Sequence, residues 1–158
     1  MTVSTRFAPS PTGWLHIGGV RTALYSWLYA RKNEGKFFLR IDDTDTSRST
    51  DEFKDSIISA LKQLGLKHDS EIIYQSQRFS HYIDKVEELL NRDLAYYDKV
   101  EKNEKTRETD LALAYDNRLN KDGHVIRFRN QRENTISITD SVHGEIKFDP
   151  KVFFDVVI

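Results

Sequence analysis

Cysteine is absent from this 158-residue chain. Its absence excludes disulfides, thiolate zinc sites and thiol catalysis, and it suits a cytosolic protein. No apolar run reaches the roughly 18 residues a membrane-spanning helix needs. The N-terminus lacks the basic-then-apolar plan of a signal peptide. A charge excess is missing too. The 24 Lys and Arg against 25 Asp and Glu leave −1, so nothing pulls the whole chain toward nucleic acid and any RNA contact must use a local patch. Neither G-x-G-x-x-G nor G-x-x-x-x-G-K-[ST] occurs, which removes the two best-known nucleotide loops. There is no internal repeat.

What is present concentrates in residues 6–19, RFAPSPTGWLHIGG. A short strand over residues 3–8 runs into two prolines, then Gly13, His16 and Gly18-Gly19, and a helical pattern over 18–33 follows at once. Strand, glycine-bearing turn and helix N-terminus make a phosphate cradle, because glycines admit close backbone approach and first-turn N–H groups favour an anion. His16 adds a ring N–H that can donate to a phosphate oxygen. The other reading is an ordinary Gly-Gly turn.

A second strand over residues 37–41 completes a strand-helix-strand unit, so the two strands should be parallel neighbours. Asp42, Asp43 and Asp45 stand at its carboxyl end. Thr50 or Asp51 caps the next helix, Gly65 ends it, a further helix runs from Ser80 or Arg78 to Arg92, and a short strand covers 94–97. Residues 99–110 are almost all charged or polar, and residues 111–119 could form one short helix. From residue 123 the period becomes two, and residues 123–149 read as a small antiparallel segment. The apolar run over residues 151–158 either marks a cut chain or docks as a terminal element.

Ligands of open α/β sheets bind beyond the carboxyl ends of the strands. One crevice there would hold Arg6, the aspartates and the His16-Gly18 cradle, which suits a ligand with a carboxylate, an ammonium and a phosphate. Each residue also has a plain structural reading. Arg6 can pair with a neighbouring carboxylate, Asp43 and Asp45 can serve as turn and capping residues, and Arg48 is either a rim charge or a phosphate contact. His68, His81, His124 and His143 stand apart at irregular spacing, as expected of structural or exposed histidines. Arg127 and Arg129 share one strand face, near Arg118, Lys121 and Arg132. That face is either a weak RNA-phosphate contact or a solvated surface.

Residues 6–13 (RFAPSPTG), 16–19 (HIGG), 21–24 (RTAL), 35–37 (GKF) and 39–45 (LRIDDTD), followed by Arg48-Ser49, closely resemble the start of bacterial glutamyl-tRNA synthetases, class I aminoacyl-tRNA synthetases. His16 to Gly19 stands where class I enzymes carry their HIGH signature, with glycine in the last place. Residues 74–78 and 125–128 share the likeness. The resemblance implies an α/β chain. It would hold the first half of a Rossmann-like parallel nucleotide-binding domain over residues 1–98 and part of an inserted α+β acceptor-stem-binding domain over 99–158.

The resemblance further implies ATP-dependent activation of glutamate to glutamyl-adenylate and transfer to tRNA. The partners would then be glutamate, ATP with Mg²⁺ and the acceptor end of tRNA(Glu), in a cytoplasmic parent protein that is monomeric. Carried over, Arg6 binds the substrate side-chain carboxylate, Ala8 and Ser10 make nearby contacts, and Asp42 binds the α-ammonium. Pro9, Thr12, Gly13, His16, Gly18 and Gly19 form the ATP site, with His16, Gly18 and Gly19 acting on the phosphates. Three departures stand out. Asp42 replaces the usual Glu. No cysteine zinc site follows Tyr96-Tyr97, so no zinc is expected. The Lys-x-Ser-Lys signature is absent, so the chain is expected to be an N-terminal fragment inactive alone. A glutaminyl-type or glutamyl-queuosine enzyme is the nearest alternative, and a non-catalytic nucleotide- or RNA-binding module is the alternative of another class.

Overall fold

A computed structural model describes residues 2–99, 119, 121, 123–140 and 142–158. The short helix expected over residues 111–119 lies almost wholly outside them, as does Arg118. Contacts divide the chain into two compact units, residues 1–79 and 80–158. The first begins with β1 (Ser4–Phe7), α1 (Ile17–Lys32) and β2 (Lys36–Ile41). It continues with α2 (Asp51–Gln63), β3 (Ile73–Tyr74) and a 3₁₀ turn, Gln75–Arg78.

The three strands are parallel in the order β1-β2-β3. Two right-handed crossovers running the same way put both helices on one face of the sheet. Strand alternation then separates the residues. Phe7, Phe37, Leu39 and Ile41 face the helices and join Ala23, Ala30, Ile57 and Leu61 in a buried core, while Arg6 and Arg40 lie on the other face. The two-residue β3 is too short to show a period in the sequence. Its place beside the start of β2 is taken by Asp69. The Asp69 carboxylate accepts from the Phe37 N–H at 2.7 Å and from Arg31 at 2.9 Å, and the Asp69 N–H donates to the Phe37 carbonyl.

The turn from α1 into β2 depends on Gly35. Its N–H donates to the Ala30 carbonyl at 2.8 Å, and the next amide, Lys36, donates to the Val3 carbonyl at 2.9 Å. A Cβ on residue 35 would run into the Val3 carbonyl oxygen, a backbone atom held in that same hydrogen bond. Gly35→Ala is therefore expected to cost about 2 kcal/mol, the scale of overpacking a closed site. A denaturant melt showing no loss would contradict this.

In the second unit, α3 (Phe79–Asn91) packs with β4 (Ala95–Lys99) and β5 (His124–Phe128). Ile83, Val86, Ala95, Leu119 and Ile126 form its core. This shared core is why the compact units part near residue 79, whereas composition shifts near residue 98. β6 (Ile136–Asp140) and β7 (Gly144–Phe148) make a separate antiparallel hairpin. The single antiparallel segment expected over residues 123–149 is thus two sheets, since β5 pairs with β4 and leaves β6 to β7.

The apolar tail docks on the second edge of β5. Phe128 N–H donates to Val156 O at 2.9 Å and Ile158 N–H to Ile126 O at 3.0 Å. Asp155 anchors it, accepting from the Tyr96 hydroxyl at 2.9 Å and the Asn130 N–H at 3.0 Å. The Asn130 amide first, then the Tyr96 hydroxyl, hold the Asp155 carboxyl below its ordinary value.

Candidate active site

Two loops leave the carboxyl edge of the first unit's sheet, residues 8–16 after β1 and 42–50 after β2. Backbone bonds tie them together. Asp42 N–H donates to Pro9 O at 2.9 Å and Thr50 N–H to Pro11 O at 3.4 Å. Parallel strand pairing brings the loops to the same edge, and these bonds fix Pro9 beside Asp42. Ala8, Ser10, Thr12 and Gly13 lie on the first of the two loops.

His16 caps α1. Its backbone is extended, and its Nδ1 accepts from the Gly18 N–H at 3.2 Å. An accepting Nδ1 places the proton of the neutral ring on Nε2, leaving a donor for a ligand. Val20 N–H returns to the His16 carbonyl at 3.0 Å. Among the described residues the Ile17 and Gly19 N–H groups have no hydrogen-bond partner, which leaves two donors and the positive end of the helix dipole beside the imidazole.

The glycines have separate jobs. A Cβ at Gly18 would stand 2.9 Å from His16 Cε1 and 3.1 Å from Nδ1, so it would push the ring off its cap. One at Gly19 would stand 2.7 Å from Leu15 Cδ1, a side-chain end that can move. A Gly→Ala change inside a helix ordinarily stabilises by about 1 kcal/mol. Gly18→Ala is expected to show no such gain, because it loses the cap, and to move the His16 ring resonances. A stabilised variant with unmoved His16 signals would contradict the account.

The carboxylates divide by role. Asp42 takes a two-pronged bridge from Arg40, 2.5 Å to Nε and 2.8 Å to Nη2. No role was assigned to Arg40 from the sequence, and the structure pairs it with Asp42. Its signal was a charge in an otherwise apolar run, two residues from Asp42 and so on the same strand face.

Asp43 turns inward and is 3% exposed. It accepts from Ser76 N–H at 2.9 Å, Ser76 Oγ–H at 2.7 Å and Lys54 Nζ at 3.2 Å. Burial pushes its carboxyl up, but the Ser76 amide and hydroxyl and the Lys54 ammonium outweigh burial and hold it below the ordinary value.

Asp45 bends back on its own loop, to the Ser47 hydroxyl at 2.7 Å and Arg48 Nε at 2.6 Å. The Ser47 hydroxyl and the Arg48 guanidinium bring its carboxyl down to about 2. A carboxyl-carbon NMR titration should find that midpoint, raised by Ser47→Ala or Arg48→Ala. A midpoint near 4 in the unaltered chain would contradict the geometry. Asp45 thus serves its own turn and holds Arg48, whereas Asp43 ties its loop to Ser76 and Lys54. Among the described residues no group of three His, Asp or Glu gathers as for a metal ion.

Arg6 differs from these paired groups. It is exposed near the end of β1, in register with Phe38, and among the described residues it makes no hydrogen bond or ion pair. In the second unit Arg127 and Arg129 are both engaged. Arg127 meets Asp98 at 2.6 Å and the Asp155 carbonyl at 3.0 Å, while Arg129 meets Asp93 at 3.0 Å and covers the Tyr96 ring. An RNA phosphate would compete with those partners.

A family model described as tRNA synthetases class I (E and Q), catalytic domain, matches residues 2–123. The glutamate–tRNA ligase of Francisella tularensis subsp. novicida (strain U112) is 44% identical over 170 residues, covering 99% of this chain and 36% of that protein. Glutamate–tRNA ligase 1 of Helicobacter pylori (strain Shi470) is likewise 44% identical, with 99% and 37% covered. Among solved structures, a glutamate–tRNA ligase from Elizabethkingia meningosepticum in complex with its amino acid superposes with a TM-score of 0.78. It is 31% identical, covering 99% of this chain and 38% of that one. The glutamate–tRNA synthetase of Elizabethkingia anophelis gives 0.79 at 31% identity, with 99% and 39% covered. The chain therefore spans a little over a third of the length of the relatives it matches.

Proposed function

Because the chain belongs to the class I tRNA synthetases of the E and Q type, we propose that its first unit forms the amino-acid- and ATP-binding edge of a glutamate–tRNA ligase. The observation that carries the choice of glutamate is Arg6. An exposed guanidinium with no partner among the described residues suits a ligand carboxylate. Asp42 lies on the loop bonded to Pro9 and accepts the α-ammonium, while Arg40 holds the Asp42 carboxylate in place. This bridge also bears on the shorter side chain at position 42, since Arg40 fixes where the acceptor oxygens stand.

The ligase reaction begins when the glutamate α-carboxylate oxygen attacks the α-phosphorus of ATP, breaking its bond to the bridging oxygen and releasing pyrophosphate. Negative charge builds on the phosphoryl oxygens. His16 Nε2–H and the Ile17 and Gly19 N–H groups stand ready to receive that charge, an electrostatic role that requires no covalent enzyme intermediate. A ribose hydroxyl at the 3′ end of tRNA then attacks the acyl carbon, and AMP departs. Mg²⁺ enters with the nucleotide in this reading, as Asp43 and Asp45 are occupied. Residues 99–158 belong to the region that handles the tRNA acceptor stem, and the parent protein is a cytoplasmic monomer.

Calorimetric titration with non-hydrolysable glutamyl- and glutaminyl-adenylate analogues tests the proposal. Preference for the glutamyl compound is expected, because only its side chain offers Arg6 a charge. Equal affinity for both would sink the glutamate assignment.

A further inference from the structure

A cleft of another kind lies on the outer side of α2. It is an open hollow of about 420 Å³, within the range of small-ligand sites, between Trp14 and a stripe of α2 that carries Glu52, Asp55, Ser56, Ser59 and Gln63. Those positions recur at helical spacing, so one side of α2 makes the floor and the indole makes the wall. Trp14 is 62% exposed, yet its ring is held. It meets Phe53 edge-on, with 5.4 Å between ring centres and 83° between planes.

The floor is acidic and lacks its own counter-charge. Lys54, the one cation in the first two turns of α2, is shared between Asp43 and Asp51 at 3.2 Å each. Glu52 and Asp55 make no ion pair or hydrogen bond with any described residue, and no Lys or Arg lines the hollow. Glu52 stands in the first turn, where the helix dipole favours a carboxylate, but Asp55 lies beyond that turn. At the far end the Gln63 amide reaches Ser59 Oγ only at 3.5 Å, so both groups can turn to another partner.

We propose that this cleft seats an arginine side chain carried on an extended segment of a protein partner. The guanidinium lies over the Trp14 indole and donates to Glu52 and Asp55, while the backbone of the segment bonds to Ser59 and Gln63. Tryptophan is the best ring for holding a cation, and arginine is the cation most often found there. A planar fork can stack on the ring and still donate in its own plane to carboxylates, which a lysine ammonium cannot do. The far end of the cleft selects a peptide over a free cation. A polyamine has no carbonyl to accept from the Gln63 amide or the Ser59 hydroxyl. From Glu52 to Gln63 the helix rises about 16 Å, the span of an extended segment of about five residues. The cleft uses none of Arg6, His16 and Asp42, so it stands whether or not their edge binds glutamate.

The test is amide and indole NMR of the labelled 158-residue chain, titrated to millimolar concentration with a short blocked peptide that holds one arginine among glycines and serines. The Trp14 indole signal is identified by its loss in Trp14→Phe. The peptide is expected to shift that signal and the Glu52, Asp55 and Ser59 amides, and to bind several-fold tighter than its lysine or neutral citrulline counterpart. Trp14→Leu is expected to weaken it roughly two- to five-fold, and Glu52→Gln with Asp55→Asn roughly five- to ten-fold. The double variant alters exposed side chains alone, so it remains decisive where Trp14→Leu changes the thermal melt. An unmoved Trp14 indole, equal binding of the citrulline peptide, or unchanged affinity in the double variant overturns the cleft. Spermidine or arginine amide binding as tightly as the peptide makes the occupant a free cation and overturns the protein partner. An indole shift on concentrating the chain alone makes the occupant a second copy and does the same.

Discussion

Arg6→Ala is expected to lower affinity for a glutamyl-adenylate analogue by roughly 30- to 150-fold, about 2–3 kcal/mol, the worth of charge-assisted hydrogen bonds to a carboxylate. The glutaminyl analogue should lose far less, so the preference between the two collapses. Stability should hardly change, because the side chain is exposed and bonds to none of the described residues. This combination separates a binding residue from a structural one. Arg40→Ala has a different signature. It frees the Asp42 carboxylate from its bridge, so it should disturb ammonium recognition for both analogues alike. If Arg6→Ala leaves glutamyl affinity intact, the guanidinium is only a surface charge.

Asp43→Ala is expected to destabilise the first unit by about 3 kcal/mol, because it strands the Ser76 N–H and hydroxyl that the buried carboxylate now satisfies and leaves the Lys54 ammonium with Asp51 alone of its two carboxylates. Melting of this 79-residue unit should fall by roughly 12–24 °C. The charge has a pH signature whose sign follows from the direction of its shift. The folded carboxyl lies below its ordinary value of 3.8. Its contribution is therefore fully present above the unfolded value and is lost as pH falls below 3.8 and through the lower folded value. Asp43→Asn should remove that part of the acid sensitivity. Chemical denaturation of both variants between about pH 3 and 7 checks the two expectations. Unaltered stability of Asp43→Ala at neutral pH would show that the buried network does not hold the loop.

Much of this arrangement was legible in the residues because it rests on local periodicity. The helix after His16 and the strand after Gly35 were each placed to within a residue or two. Of the two caps expected for α2, Thr50 serves, its hydroxyl accepting from the Phe53 N–H at 3.2 Å. What stayed hidden depends on partners distant in sequence. Alternation in residues 124–128 reveals a strand, yet not that its neighbour is β4. Three aspartates in four residues look equivalent in the sequence. Only the fold sends Asp43 to Ser76, Asp45 to its own loop and Asp42 to Arg40. Arg127 in β5 and Arg129 just after it could be read as a basic contact or as a solvated face, because Asp98 and Asp93, which pair with them, lie about thirty residues earlier. The contacts of the apolar tail with β5 and its anchor at Asp155 join residues 25 or more apart and were equally hidden.

In the proposed site Arg6, the His16 cap and Asp42 form one ligand edge. Backbone amide NMR of the uniformly labelled chain, titrated with the glutamyl-adenylate analogue at millimolar concentration, tests it most directly. The predicted result is shifts concentrated at Arg6, Ala8, Ser10, Gly13, Ile17, Gly18, Gly19 and Asp42, with little change at the Ser76 amide beneath Asp43. Shifts that spare both Arg6 and the first turn of α1, or no shifts at all, would contradict the account.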